Sequence, residues 1–126
     1  MSTKLNIEKM CQAYRLLYTI ETMLREYIDE TFTKQHGLYW YHRPSILKIN
    51  LPNCRYIELI HIIRKFSSLN AAFTDYQLEE LTRLNKVRNK VCHMQHISDE
   101  EYSLLVSCYL SVLKCCGDRL KMKSTS

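Results

Sequence analysis

Thr74-Asp75-Tyr76-Gln77-Leu78-Glu79-Glu80-Leu81-Thr82-Arg83-Leu84-Asn85-Lys86-Val87-Arg88-Asn89-Lys90-Val91-Cys92-His93 is the stretch on which the fold turns. It opens with Thr74 and Gln77 three residues apart. That is the capping-box pattern, in which each side chain satisfies a backbone amide at the other residue. Leu78, Leu81, Leu84, Val87 and Val91 then recur at steps of three and four, the period of a helix with one buried face. Ser98 and Glu101 repeat the box just downstream. They start a further helix through Tyr102, Leu105, Tyr109, Val112 and Cys116.

Upstream, a long helix is expected over about 5–34, closed by Gly37. Its seam reads Ile7, Met10, Tyr14, Leu17, Glu21, Leu24 and Ile28. Glu21 puts a carboxylate where an apolar residue belongs. An unpaired buried charge costs several kcal/mol, roughly, so contact with Arg25 one turn later or with Arg88 is expected. Gly37-Leu38-Tyr39-Trp40-Tyr41-His42-Arg43-Pro44 is an aromatic-rich connection with the only Trp, and the segment on to Asn53 reads as irregular. Asn53 is expected to cap a second helix carrying Tyr56, Leu59, Ile60, Ile63 and Phe66 on its apolar face, with 67–73 as a loop. Four amphipathic helices predict an all-α antiparallel four-helix bundle, with Leu17, Leu24, Ile60, Ile63, Leu81, Leu105 and Val112 in its core.

Composition agrees. The 126 residues suit one domain, 1–126, with a polar tail from about Lys121. Two Gly and two Pro leave too little turn material for an all-β sandwich. The formal charge of +5 permits a polyanionic partner without requiring one. Six cysteines with no secretory signal pattern read as reduced thiols of a cytoplasmic protein. No apolar run approaches the ~18 residues of a membrane span.

Arg88-Asn89-Lys90-Val91-Cys92-His93 concentrates a guanidinium, an amide and an imidazole near one helix end. Asn89 and His93 lie one above the other, and Arg88 points to one side. These groups suit RNA cleavage by 2′-OH attack, which leaves a 2′,3′-cyclic phosphate and a 5′-OH. His93 would transfer a proton, Arg88 would stabilise charge on the pentacoordinate phosphorus, and Asn89 would orient the imidazole or an oxygen. No metal or other cofactor is required by that chemistry, and two copies about a dimer axis would supply both an acid and a base. The same string also reads as an ordinary polar cluster at a helix end. Arg83, Lys86 and Lys90 form a basic stripe that either tracks RNA phosphates or is simply solvated.

Two stretches together resemble the HEPN domain superfamily, specifically its abortive-infection ribonucleases. Leu84 to His93 resembles the HEPN motif helix, a hydrophobic Arg-Asn-x-x-x-His before a final helix. Ile20-Glu21-Thr22-Met23-Leu24-Arg25, running on to Gly37-Leu38-Tyr39-Trp40, is similar to the first-helix pattern of the Abi type. The resemblance implies a HEPN-type helical bundle and a homodimer whose two motifs share a cleft. It also implies metal-independent ribonuclease activity in phage defence or as a toxin, with a cognate antitoxin or defence-system partner. Carried over, Arg88 and His93 become the catalytic pair, Asn89 the polar motif residue, and Glu21 and Arg25 supporting residues. The chain is shorter than the larger Abi proteins and has little room for a separate RNA-recognition module.

Other patterns carry rival readings. Cys92-His93-x-x-His96 with Cys115 and Cys116 invites zinc, but the spacing fits no standard finger, and buried thiols are the simpler reading. Tyr39, Trp40 and Tyr41 with His42 and Arg43 can stack on single-stranded RNA or pack on the bundle, and Trp40 is read as packing. A noncatalytic dimeric interaction or antitoxin protein is the alternative to a ribonuclease. A DNA-binding regulator ranks lower, because the motif helix lacks a helix-turn-helix spacing to its predecessor.

Overall fold

The computed structural model describes residues 3–46 and 48–117. The expected polar tail from Lys121 lies outside the described residues. Five α-helices run in the order α1 (Thr3–His36), α2 (Tyr56–Lys65), α3 (Ser67–Asn70), α4 (Asp75–Cys92) and α5 (Asp99–Val112). Two 3-10 turns, Trp40–His42 and Leu51–Asn53, interrupt the connection from α1 to α2, and a π-helical turn, Leu113–Gly117, continues α5. Among the described residues there is no strand, so the all-α expectation holds at that level. None of these helices is long and apolar enough to cross a membrane.

Each boundary has a local cause. α1 ends where Gly37 adopts φ +91° and donates its N–H to the Thr33 carbonyl at 2.8 Å. Thr74 and Gln77 cap α4 reciprocally, and Ser98 and Glu101 do the same for α5. The short link between those two helices folds them back to back. The rungs Lys90–Glu101, Glu80–Ser107 and Gln77–Cys115 show the antiparallel register.

All seven residues expected in the core are buried. They pack with Ile20, Tyr27, Ile28 and Phe32 of α1 and with Leu59 and Leu84. Tyr27 and Tyr56 are buried with their hydroxyls donating to the carbonyls of Leu69 and Leu81. Burial pushes the Tyr56 phenol well above its usual range.

Four expectations need correction. Ile7 and Tyr14 are 58% and 60% exposed rather than on a buried seam. A strict three-four alternation averages 3.5 residues per turn, so a straight helix drifts off it by about 20° per heptad. The core face of α1 is set instead by Ala13, Leu17, Ile20, Leu24 and Ile28. Asn53 does not cap α2, because it closes the 3-10 turn Leu51–Asn53, its N–H donating to the Asn50 carbonyl, and α2 starts only at Tyr56. The cap is Arg55, whose N–H donates to the Glu58 carboxylate at 3.1 Å. That contact, with the Arg55 guanidinium beside it, holds the Glu58 carboxyl below its usual range. The expected loop 67–73 contains the single helical turn α3, which buries Leu69. Cys92, read as a buried thiol, is exposed, whereas Cys116 is buried.

Candidate active site

α4 carries its buried residues on one side, and Arg88 stands at the edge of that side next to Val87. Glu21 stands at the matching edge of α1, between the buried Ile20 and Leu24. Where the two helices pack, the edges meet. Arg88 Nε donates to Glu21 Oε1 at 3.0 Å, and the two side chains are only 26% and 17% exposed. The second carboxylate oxygen faces Arg25 Nη2 at 3.7 Å. That same nitrogen donates to the Cys54 carbonyl at 2.7 Å, which ties α1 to the segment before α2. Arg25 Nε is buried without a hydrogen-bond partner.

Glu21 therefore meets both of the arginines the sequence offered as partners. A half-buried pair of this kind contributes far less than its Coulomb energy, because desolvation opposes it. Its geometry still fixes the guanidinium. Tyr14, Leu17, Tyr18, Glu21, Arg88 and Cys92 line a crevice of about 130 Å³ beside it. Tyr14 and Tyr18, two of its walls, stack with ring centroids 6.4 Å apart.

His93 does not line this crevice. It is the C-cap of α4, exposed, with its N–H on the Asn89 carbonyl. Five residues along a helix turn through about 140° relative to the start, so Arg88 and His93 diverge within one chain. Asn89 is exposed on the His93 side. Beyond His93 the chain makes a Schellman turn. The Gln95 N–H bonds the Lys90 carbonyl at 2.8 Å, the Met94 N–H bonds the Val91 carbonyl at 3.1 Å, and Met94 takes φ +57°. Glycine usually fills that left-handed position. Met94 fills it here with 93% of its surface exposed.

The basic stripe is on the far side of α4 from Arg88. Arg83 and Lys86 are exposed. Lys90 Nζ bonds Glu101 at 2.9 Å, and with the Ser98 N–H it holds the Glu101 carboxyl below its usual range. The structure thus gathers Glu21, Arg25 and Arg88 and leaves Asn89, His93, Arg83, Lys86 and Lys90 on another face.

The zinc pattern is taken apart by the fold. Cys115 lies beside Gln77 near the start of α4, whereas Cys92 ends that helix, roughly 20 Å away at 1.5 Å per residue. Among the described residues no three His, Cys, Asp or Glu side chains gather as a metal-ligand set.

Two buried polar residues, Thr31 and Glu80, were not anticipated from the sequence. Glu80 is 8% exposed and accepts from Ser107 Oγ at 3.3 Å. The signal was present, since Glu80, Leu84, Val87 and Val91 share one face by the same spacing that marked Glu21. Burial, with Glu80 adding to it, pushes the neighbouring Cys108 thiol up to about 12. That thiol is neutral at ordinary pH and has no nucleophilic role there.

Comparison of the chain with protein-family models, with curated proteins and with solved structures returns no match.

Proposed function

We propose that the chain is a metal-independent endoribonuclease of HEPN type, built on a four-helix core and active in the cytoplasm as a homodimer with a composite site. The observation that carries this reading is that Arg88 lines a crevice with Tyr14 and Tyr18 at the edge of an uncovered apolar stripe, while Asn89 and His93 stand on another face at the end of the same helix. That stripe comprises Ile7, Tyr14 and Tyr18 of α1, with Met94 beyond α4, all more than half exposed. Arg88 and His93 diverge within one chain, so a working pair takes one residue from each copy. A two-fold axis beside the stripe would bring Arg88 of one copy toward the imidazole of the other.

In that site one imidazole takes the proton of the ribose 2′-OH as its oxygen attacks phosphorus. The P–O5′ bond breaks, and the second imidazole gives a proton to the departing 5′ oxygen. Arg88, held by Glu21, stabilises the phosphorane charge, and Asn89 orients the imidazole or a phosphate oxygen. Lys86 and Arg83 track the RNA backbone, with Lys90 joining them when it leaves Glu101. Phage defence or a toxin role, controlled by a cognate antitoxin or defence-system partner, is the setting that fits such an activity.

A second reading has its own observation. Arg88 is already neutralised by Glu21, as a purely structural arginine would be. On that reading the chain is a noncatalytic dimeric interaction or antitoxin protein that uses the same stripe.

The test is RNA cleavage in EDTA, with product ends identified. Wild type is expected to leave cyclic phosphates. His93→Ala and Arg88→Ala are each expected to lose about two orders of magnitude or more, with helicity unchanged. Lys90→Ala should only weaken RNA binding and its salt dependence. Equal cleavage by wild type and both motif variants would place the activity elsewhere. No cleavage by a sound wild-type dimer would favour the interaction reading.

A further inference from the structure

The connection between α1 and α2 builds a second candidate site that the Arg-Asn-x-x-x-His motif does not include. Trp40 is 3% exposed and donates its indole N–H to Asp29 at 2.7 Å, with its ring 5.1 Å from Phe32. It is a structural anchor. Its neighbours in sequence turn outward: Tyr39 is 68% exposed, Tyr41 is 43% exposed and His42 is exposed. The Tyr41 and His42 rings lie 4.7 Å apart.

Opposite this turn runs the segment from Ile49 to Pro52. Between the two lies a groove of about 480 Å³, walled by Trp40, Tyr41 and His42 on one side and by Asn50 and Pro52 on the other. Among the described residues nothing acidic lines it. Arg43 and Lys48, both exposed, adjoin its two walls in sequence, next to His42 and Ile49, and neither is in an ion pair with a described residue. A second groove of about 420 Å³ shares Trp40, Tyr41 and Pro52 and runs along α1 past Asp29 and Glu26 to Arg25. Tyr41 thus stands between two cavities, and the acidic residues line the second of them.

We propose that this groove holds an unpaired nucleobase of single-stranded RNA, with Tyr41 as the stacking surface and Arg43 and Lys48 on the flanking phosphates. The inference rests on the RNA-directed reading and names how its substrate is held. Aromatic rings with cationic neighbours are the ordinary platform for single strands, because every base has a face to stack and every nucleotide a phosphate to neutralise. The Asn50 amide offers both a donor and an acceptor to a base edge. Trp40 stays in the core and shapes the groove. A base-paired duplex keeps its bases stacked on one another and has none to insert.

The chain's single tryptophan walls both cavities, so its fluorescence reports their occupancy. The experiment titrates single-stranded oligouridylate, and a duplex RNA of equal length, into full-length His93→Ala protein, in which the RNA stays intact. Single-strand binding that shifts the Trp40 emission is expected, with the duplex markedly weaker. Adding Tyr41→Ala should weaken single-strand binding roughly tenfold, the loss of one stacked base. Tyr41→Phe should retain binding, and Asn50→Ala, a second exposed position, should weaken it in case Tyr41→Ala disturbs folding. Equal affinity with and without Tyr41, an unchanged Trp40 emission at saturation, duplex binding as tight as single-strand binding, or no binding at all overturns the proposal. Tyr41-dependent binding without cleavage by wild type would sink the ribonuclease reading alone. Cleavage with Tyr41-independent binding would sink the groove alone.

Discussion

The crevice between α1 and α4 and the groove in the connection from α1 to α2 are built in opposite ways. In the crevice, polar groups are half-buried and answer one another: Glu21 takes Arg88 on one oxygen and faces Arg25 with the other. In the groove, one aromatic is buried and its neighbours are left open to solvent. Trp40 and Glu21 are largely buried and hydrogen-bonded through their side chains, whereas Tyr41 and His93 are exposed.

The largest effect expected from this contrast is on stability. Trp40→Ala should cost about 3–5 kcal/mol in denaturant unfolding, the usual range for a buried large aromatic, whereas Tyr41→Ala should cost less than about 0.5 kcal/mol. Similar losses for the two would erase the distinction between anchor and platform. A smaller effect is expected in the crevice. Glu21→Ala leaves Arg88 half-buried and unpaired, and about 2 kcal/mol is expected once its partial exposure is allowed for. Arg88→Ala in the same background should then cost little more, and a double-mutant cycle reads that coupling. Additive losses would mean that the ion pair carries no weight. The smallest effect is a gain. Met94→Gly should relieve the left-handed backbone and stabilise by roughly 0.5–1 kcal/mol, with an unchanged denaturant slope. A loss there would show that the Met94 side chain is covered, as a dimer across the apolar stripe would make it.

The helices were legible wherever two signals coincided. At α4 and α5 a capping box and a run of core-spaced residues agreed, and both starts fell at the expected residues. At α2 a lone Asn53 misled, because it closes the turn Leu51–Asn53, two residues before the actual cap at Arg55. The three- and four-residue steps of α1 were right in its middle and wrong at its start, where the drift of a straight helix carried Ile7 and Tyr14 out of the core. The Glu21 partnership was legible because a charge on a seam must be answered. The divergence of Arg88 from His93 was half visible. Spacing gave the angle, and Glu21 offered Arg88 a partner on α1, but Arg25 was an equal candidate in the sequence. The exposure of Tyr41 beside a buried Trp40 was not visible either, since adjacent aromatics in a segment without periodicity carry no sign of which turns inward.

The Glu21 carboxylate has one further consequence, in electrostatic rather than structural terms. One negative group shared by two guanidiniums leaves the trio with a net charge of one positive unit. Added salt screens such a charge over roughly 8–10 Å at ordinary ionic strength. An anion reaching the crevice at low salt would therefore meet an attractive potential with Glu21 still in place, and that attraction would fade as ionic strength rises.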